Sequence, residues 1–192
     1  MNDNIFEGKL VRLVMADYTE MARCFHTWRK DSEYMRLLDM WPATPFSAKK
    51  IEEWVKKDLE ESRPNSVFFL IREKAENRLI GEIGLDGIRW NHGDTFVGIG
   101  IGERELWGKG YGTDAMRVML RYAFTELNLH RVSLDVFEYN PRGIRSYEKA
   151  GFKVEGCHRG ALNRDGRRWN EYFMGILRSE WEQSQGGETW LQ

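Results

Sequence analysis

The segment 107–112, with the sequence Trp-Gly-Lys-Gly-Tyr-Gly, has the residue types of an anion-binding loop. Its glycines at positions 108, 110 and 112 leave the backbone free to turn tightly and to bring its N–H groups close to a ligand. A helix is predicted directly after the loop, and the first turn of a helix carries unpaired N–H groups and a partial positive charge. The segment therefore predicts a binding site for phosphate or diphosphate.

A second motif begins at Asn140 and Pro141, passes through Tyr147, and ends at Gly151 and Phe152. Asn140 is a suitable N-cap for a helix whose first residue is Pro141. The phenol of Tyr147 has an ordinary pKa of about 10, so it is protonated at neutral pH and can donate a proton. Without the motif, a tyrosine on a short helix also fits a core position with its hydroxyl hydrogen-bonded.

Composition limits the classes of protein to which this chain can belong. Among its 192 residues, 29 lysines and arginines balance 30 acidic residues, which gives no general attraction to nucleic acid. No apolar run approaches the roughly 20 residues that cross a bilayer, and the N-terminus lacks the features of a signal peptide. Cys24 and Cys157 lie in unrelated segments and the four histidines show no ligand spacing, so neither a disulfide nor a metal site is predicted. We expect a cytoplasmic protein that binds neither nucleic acid nor a membrane.

The pattern of apolar and turn residues predicts a mixed α/β fold with about seven strands and about four helices. The predicted order is a strand, two helices, three strands, a helix, a strand, a helix and two strands. Residues 1–182 are expected to form one domain, and the polar residues 183–192 a flexible tail. The predicted strands are 9–14, 67–72, 79–90, 95–102, 131–137, 152–158 and 168–177. The predicted helices are one capped by Asp17 or Thr19 and ending near residue 29, one interrupted at 41–45 and resuming after Ser47, one after the glycine loop, and one over 141–150.

The order of elements and the two motifs together resemble the GNAT family of acyl-CoA-dependent N-acetyltransferases. The likeness spans residues 5–180 and is greatest to the branch of ribosomal-protein N-terminal acetyltransferases and spermidine acetyltransferases. The phosphate loop of the family reads Gln/Arg-x-x-Gly-x-Gly/Ala, and here Trp107 replaces its first residue. A tryptophan is familiar there in this branch, and it removes one side-chain donor while leaving the backbone amides unchanged. The second motif matches the family's Asn…Tyr-Glu…Gly-Phe signature.

The resemblance implies the GNAT fold, with acetyl-CoA held between two splayed strands at 95–102 and 131–137. The diphosphate would rest on the amides of residues 108–113. The residues expected to bind the cofactor are Ile99, Gly100, Ile101, Trp107, Gly108, Lys109, Gly110, Tyr111, Gly112, Thr113, Asn140 and Arg145. Arg145 is selected from its place on the short helix after Asn140, which also carries Arg142; either arginine could meet the CoA phosphates, and each also fits a solvated surface position. Three glycines at 98, 100 and 102 share one face of their strand. This bare face would give room to the pantetheine arm or to a closely packed helix, and the segment favours neither interpretation.

The resemblance also implies direct transfer of an acetyl group to a primary amine within a ternary complex. Tyr147 would donate a proton to the thiolate leaving group, and backbone N–H groups near residues 99–102 would polarise the thioester carbonyl. Glu82 is the candidate base for the amine. Asp86, which shares its strand face, and Glu33 are further candidates, and each of the three also fits an ordinary surface carboxylate.

The acceptor is expected to bind between the second helix, the loop at 41–45 and the hairpin at 163–169. The candidate substrate-binding residues are Glu33, Trp41, Trp90 and Trp169. A cationic amine can lie against an indole face. The acceptor stays open between a protein N-terminal α-amine and a small-molecule amine, and a homodimer is common in this branch.

The alternative function is a CoA-binding sensor or interaction module without turnover. A nucleotide-hydrolysing loop is excluded because no Gly-Lys-Ser/Thr follows the glycines. A dinucleotide-binding unit is disfavoured because its glycine motif would have to follow the first strand.

Overall fold

A seven-stranded mixed sheet forms the frame of the protein in the computed structural model, which describes residues 4–15, 18–61 and 63–185, with the side chains of residues 58 and 59 left aside. The strands are β1 (Val11–Val14), β2 (Val67–Glu73), β3 (Leu79–Arg89), β4 (Asp94–Ile101), β5 (Arg131–Phe137), β6 (Lys153–Arg164) and β7 (Arg167–Leu177). The helices in these ranges are α1 (Tyr18–Trp28), α2 (Ser32–Leu38), α3 (Ala48–Glu60), α4 (Tyr111–Thr125), α5 (Pro141–Ala150) and α6 (Arg178–Ser184), with a 3₁₀ turn at Arg104–Leu106.

The sheet opens between two of its central strands. The strands lie in the order β1-β2-β3-β4-β5-β7-β6, and β4 and β5 are the parallel pair, joined by the crossover helix α4. These two strands pair only over residues 94–96 and 131–133, after which they separate. Along its other edge β5 pairs with β7 over all seven residues, so β5 is held while β4 diverges from it. The separation leaves a gap in the sheet between the second halves of β4 and β5.

Helices cover both faces of the sheet and bury two apolar clusters. On one face, α4 packs Met116, Met119 and Leu120 against strand residues such as Ile83 and Leu134. On the other face, α1, α2 and α3 pack against β2 and β3 in a cluster that contains Phe25, Trp28, Tyr34, Ile51, Val55, Leu70 and Leu79. Removing these side chains from water is the main force that holds the helices to the sheet. The gap between β4 and β5 therefore lies between two well-packed layers.

The segment before β1 is tied to α4 by one buried carboxylate. Asp114, in the first turn of α4, accepts hydrogen bonds from the backbone N–H groups of Lys9, Leu10 and Val11 at 3.1, 2.7 and 3.1 Å. Gly8 has no side chain because a Cβ at this position would collide with that carboxylate. The contact places residues 8–11 beside the loop that begins α4.

The sequence prediction is confirmed for the mixed α/β class and for all seven strands, but the count of about four helices is wrong. The interrupted second segment contains two helices, because Asp31 caps α2 by accepting from the N–H groups of Glu33 and Tyr34. α6 was not predicted, since its seven residues are too few for a periodic pattern. The cap predicted at Ser47 is confirmed, and its side chain accepts from Lys50 N–H.

The ends of the chain and of β6 also differ from the predicted bounds. β6 continues to Arg164, beyond its predicted end at residue 158, and joins β7 through Asp165 and Gly166, which both have positive φ. α6 enters the first two positions of the predicted tail, while residues 186–192 and the predicted cap Asp17 lie outside the described residues. Thr19 lies inside α1. Within the described ranges, no helix combines the length and the apolar composition that crossing a membrane requires.

We expect Asp114→Ala to lower the free energy of unfolding by about 3 kcal/mol, because three N–H groups beside a buried carboxylate lose a charged acceptor. Urea denaturation measures the change. Glu52→Ala on the exposed side of α3 is the control and should change the free energy by less than about 0.5 kcal/mol. A loss below about 1 kcal/mol in Asp114→Ala would contradict this account of the segment before β1.

Candidate active site

Two cavities reach the gap between β4 and β5 from different sides. The first, about 610 Å³, is lined by the glycine loop, the N-terminal part of α4 and most of α5. The second, about 580 Å³, is lined by β3, β4, β5 and the start of β2. We call them the basic cavity and the acidic cavity after the side chains described below. The residues common to both walls are Leu37, Leu38, Ile99, Gly100, Asn140 and Tyr147. The two cavities therefore meet at the gap.

The basic cavity is built around the glycine loop. Gly108 and Gly110 have φ values of +77° and +92°, which favour glycine, and Gly110 directly precedes the first turn of α4. No side chain of the described residues caps that turn, and Tyr111, Gly112 and Thr113 line the cavity. Their backbone N–H groups and the positive end of the α4 dipole are therefore available to an anion.

Basic side chains surround the loop. Those on the cavity wall are Lys9, Arg117, Arg142, Arg145 and Lys149. The carboxylate of Asp114 also lies there, but the backbone N–H groups of residues 9–11 already bind it. For the side chains of Arg145 and Lys149, no ion pair exists with any residue that the structure describes. The cavity therefore presents uncompensated positive charge beside the N–H groups of the loop.

Trp107 holds the end of β4 next to the loop. Its indole Nε1 donates a hydrogen bond to the carbonyl oxygen of Ile101 at 2.6 Å. The guanidinium groups of Arg142 and Arg104 lie over its rings, 4.3 and 5.2 Å from the ring centre. Glu33 pairs with both arginines, at 3.5 Å and 2.9 Å. The residue that departs from the family pattern thus joins β4 to α2 and α5.

The backbone of β4 directs two peptide groups into the gap. The Gly102 N–H donates to the carbonyl of Ile80 at 2.8 Å, and hydrogen-bonding direction alternates along a strand. Ile99 and Ile101 therefore point their N–H and C=O groups away from β3. Since β5 pairs with β4 only as far as residue 96, the N–H groups of Ile99 and Ile101 face the gap.

The floor of the acidic cavity is a patch of glycines between two carboxylates. Gly84 and Gly98 are partners across β3 and β4, and both line the cavity. Glu82 and Asp86 flank them on the same face of β3, as alternation predicts, and they line the cavity too. A Cβ on Gly98 would meet no atom within 4 Å, so the floor is open at this point.

Asp135 brings another carboxylate into the acidic cavity from β5. Its neighbours Leu134 and Val136 are buried in the cluster under α4, so Asp135 points to the opposite face. Glu61 and Arg63, which follow α3, line the cavity and pair with each other at 3.3 Å. Sequence reasoning missed Asp135, although a single acidic residue within an apolar strand beside a splayed pair is a usable signal. In the described part of the chain, no three His, Cys, Asp or Glu side chains are arranged to hold a metal ion.

α1 and α2 cover part of the glycine face of β4. A Cβ on Gly100 would lie 2.8 Å from the Tyr34 hydroxyl, and one on Gly102 would collide with the Trp28 ring. Gly98, by contrast, is the open floor of the acidic cavity. Helix side chains therefore pack over Gly100 and Gly102, as one of the two sequence interpretations expects, while the open space at Gly98 belongs to the acidic cavity.

Tyr147 and Asn140 stand where the cavities meet. Asn140 caps α5, as predicted, by accepting a hydrogen bond from Gly143 N–H at 2.9 Å. α5 is also joined to α4 by a hydrogen bond between the hydroxyls of Ser146 and Thr113, at 2.8 Å. Burial, with a smaller contribution from the charge of Asp135, raises the pKa of Tyr147 to about 12. The phenol is therefore protonated at every physiological pH.

Glu82 is bound by a tyrosine that sequence reasoning did not select. The Tyr34 hydroxyl donates to Glu82 Oε1 at 2.8 Å. Tyr34 is buried, and burial followed by the charge of Glu82 raises its pKa well above the ordinary value. The hydroxyl of Tyr34 is therefore a permanent donor to the carboxylate.

The residues predicted to bind the cofactor come together, whereas those predicted to bind the acceptor do not. Of the first group, all line the basic cavity except Lys109, whose side chain is exposed beside the loop. Of the second group, Glu33, Trp41, Trp90 and Trp169 line neither cavity. Trp41 is 70% exposed, and the Trp90 and Trp169 indoles donate to carbonyl oxygens outside the site. Trp169 also stacks with the guanidinium of Arg167, 3.9 Å from its ring centre.

Known proteins share the fold of this chain and part of its sequence. A family model described as an acetyltransferase (GNAT) domain matches residues 10–153. The N-acetyltransferase p20 of Bacillus licheniformis, itself uncharacterized, is 28% identical over 152 residues, which are 79% of this chain and 84% of that protein. The spermidine N(1)-acetyltransferase of Vibrio cholerae is 32% identical over 121 residues, 62% of this chain and 68% of that protein.

A solved structure extends the likeness over nearly the whole fold. Spermidine N-acetyltransferase from Vibrio cholerae, in complex with CoA and spermine, aligns with a TM-score of 0.77 at 27% identity, over 89% of this chain and 97% of that chain. The family model, for its part, covers well over half of the chain, including the glycine loop and Tyr147. The chain therefore belongs to the GNAT family, and it is an acetyl-CoA-dependent N-acetyltransferase.

Proposed function

We propose that the enzyme transfers the acetyl group directly, within a ternary complex, to a primary amine of a small molecule that carries further positive charge. The observation that carries the proposal is the meeting of a basic and an acidic cavity at the β4–β5 gap, with Tyr147 and Gly100 on both walls. A polyanionic cosubstrate and a polycationic acceptor would each enter the cavity of opposite charge and meet at the gap.

The basic cavity suits the cosubstrate in shape and charge. The N–H groups of Tyr111, Gly112 and Thr113 would hold the diphosphate, and Arg145 and Lys149 would add charged contacts to the phosphates. The pantetheine arm would lie in the gap, where the N–H groups of Ile99 and Ile101 can bind its amide oxygens or the thioester oxygen. Bound acetyl-CoA would supply the acetyl group as a thioester.

Three groups of the chain would carry the transfer. Glu82 takes a proton from the acceptor ammonium, and the neutral nitrogen then forms a bond to the acetyl carbon. The N–H groups facing the gap stabilise the charge that develops on the carbonyl oxygen. As the carbon–sulfur bond breaks, its electron pair stays on sulfur, and Tyr147 donates the proton that converts the thiolate into a thiol. The nitrogen, which became positively charged on bonding to the acetyl carbon, gives its second proton to the resulting phenolate, so Tyr147 is restored and the product nitrogen is a neutral amide.

The raised pKa of Tyr147 has a consequence for acceptor choice. In the empty site, the nearby charge of Asp135 makes Tyr147 a weaker acid. A cationic group bound beside Asp135 would offset that charge and bring the pKa of Tyr147 closer to the value needed for proton donation. A cationic acceptor would therefore also prepare the proton donor.

The lining of the acidic cavity supports a small polycation more than a peptide N-terminus. Glu82, Asp86 and Asp135 offer separate anionic contacts. Arg63, a cation on the same wall, is paired with Glu61. The spermidine acetyltransferase among the relatives points the same way. We also propose that the enzyme is a homodimer, which light scattering measures, and that it is located in the cytoplasm, which cell fractionation measures.

An acetylation screen tests the proposal. Purified enzyme with acetyl-CoA is offered spermidine, 1,4-diaminobutane, an aminoglycoside and a peptide with a free N-terminus, and CoA release is followed. Faster release with the polyamines than with the peptide is expected. Binding of CoA by calorimetry without release in any reaction would instead favour a CoA-binding sensor.

Tyr147→Phe should lower kcat at least tenfold and leave the dissociation constant of CoA within about twofold, because it removes a proton donor and no binding contact. Steady-state kinetics and calorimetry measure the two quantities. The control is Tyr139→Phe, since Tyr139 lines neither cavity and its buried hydroxyl has no partner among the described residues. Unchanged turnover in Tyr147→Phe would remove this residue from the mechanism.

Arg145→Ala should weaken CoA binding about tenfold, the effect of one lost charge-assisted contact to phosphate. Calorimetry at two salt concentrations should also give a smaller salt dependence for the variant than for the wild type. Arg159→Ala, on the exposed part of β6, is the matched control and should bind CoA as the wild type does. Equal affinity for CoA in both variants would place the phosphates elsewhere.

The pKa of Tyr147 also makes a prediction for the rate at alkaline pH. With a pKa of about 12 in the empty site, Tyr147 keeps its proton through pH 10, so kcat/KM, which reports the free enzyme, should rise to a plateau and not fall between pH 8 and 10. Asp135→Asn removes a negative neighbour and lowers the pKa of Tyr147, so a decline at high pH should begin earlier in that variant. A wild-type decline with a midpoint below pH 9 would contradict the assignment.

A further inference from the structure

We propose that Tyr34 is the positioning residue for Glu82, whose carboxylate its hydroxyl holds at the junction of the two cavities. The inference rests on the proposed function, in which Glu82 accepts the proton of the acceptor amine. The hydrogen bond from Tyr34 to Glu82 Oε1 is 2.8 Å long, and it joins α2, which lies over the sheet, to β3 within the sheet. Tyr34 lines the basic cavity and Glu82 the acidic cavity, so the bond crosses the boundary between them.

The path of this hydrogen bond depends on a missing side chain. Gly100 is the partner of Glu82 across β3 and β4, so a side chain at position 100 would stand next to the carboxylate on the same face. A Cβ there would lie 2.8 Å from the Tyr34 hydroxyl and 3.1 Å from Leu38 Cδ1. Because Gly100 has none, the tyrosine hydroxyl can pass over β4 and reach the next strand.

The ring of Tyr34 is itself held on several sides. It is 3% exposed and lies 6.4 Å from the Trp28 ring, which fills the space above Gly102. Trp28 in turn donates to the Glu103 carboxylate at 2.8 Å. The start of α2 is fixed by its N-cap Asp31, whose carboxylate also pairs with an arginine of the 3₁₀ turn. A donor fixed in this way limits the rotation of a flexible glutamate side chain.

A hydrogen bond donated to a carboxylate favours its ionised form, which is the form that accepts a proton. The acidic limb of the pH profile of kcat/KM should therefore report whether Tyr34 acts on Glu82 or only packs α2 against the sheet. Other charged groups near the carboxylate also influence this limb and must be considered with it. The titratable and charged groups that line the cavity with Glu82 are Asp86 of β3, Asp135 of β5, Tyr147 of α5, and Glu61 and Arg63 after α3, and the charge of Arg29, after α1, acts on Tyr34.

The test compares Tyr34→Phe, Glu82→Gln and the double variant, with the amine of the screen that the wild type acetylates fastest. Tyr34→Phe should lower kcat/KM for the amine about tenfold and move the midpoint of the acidic limb upward by at least half a pH unit. KM for acetyl-CoA and the midpoint of thermal unfolding should stay close to the wild type. In the Glu82→Gln background, the added Tyr34→Phe change should cost less than twofold, because the two residues act as one unit.

Several outcomes overturn the inference. If Tyr34→Phe lowers kcat/KM equally in the wild type and in Glu82→Gln, and leaves the midpoint of the acidic limb unshifted, Tyr34 is a packing residue only. A Tyr34→Phe enzyme as active as Tyr139→Phe would remove any role in turnover. A wild type that acetylates no amine would overturn the proposed function, whereas an active wild type with either of the two preceding outcomes would overturn this inference alone, so the two failures are distinguishable. Carboxyl-carbon NMR of the free protein, with Glu82→Gln to assign the signal, gives a readout without turnover: Tyr34→Phe should raise the titration midpoint of Glu82.

Discussion

The end of pairing between β4 and β5 after three residues is the constraint on which the rest of the structure depends. A sheet with all strands paired would offer no passage between its faces and no unpaired peptide edge in its interior. Here β7 holds β5 along its full length, and the Trp107 indole satisfies the carbonyl of Ile101 at the end of β4. The divergence is therefore stabilised on both sides, and it leaves peptide N–H groups pointing at a space that no strand fills.

Much of this frame can be predicted from the chain alone, because it depends on local patterns. Alternation and apolar runs identify all seven strands, and the caps at Ser47 and Asn140 follow from their side-chain chemistry. α6 escapes prediction because it is short and its position is set by Trp181 packing against Phe124, a contact between distant parts of the chain. The glycine face of β4 is ambiguous for the same reason, since only the fold decides which glycines a helix covers.

Sequence patterns predict the residues of one cavity better than those of the other. The loop residues are consecutive in the chain, and Arg145 lies on the helix of the second motif, so the two motifs identify most of the basic cavity. The acidic cavity is assembled from β3, β5 and the end of α3, so its composition depends on which strands become neighbours. Asp135 was therefore missed, and exposed indoles such as Trp41 were selected because residue type alone does not reveal position.

The opposite charges of the two cavities have a consequence for the end of a catalytic cycle. Converting an ammonium group into an amide removes one positive charge from the acceptor, so the product is attracted less strongly by the carboxylates that bound its precursor. Coenzyme A keeps all of its phosphate charge and leaves from the other side of the gap. Release of the two products would then be unequal, with the acetylated product, which has one positive charge fewer, departing readily and the nucleotide more slowly, which would make the overall rate sensitive to ionic strength.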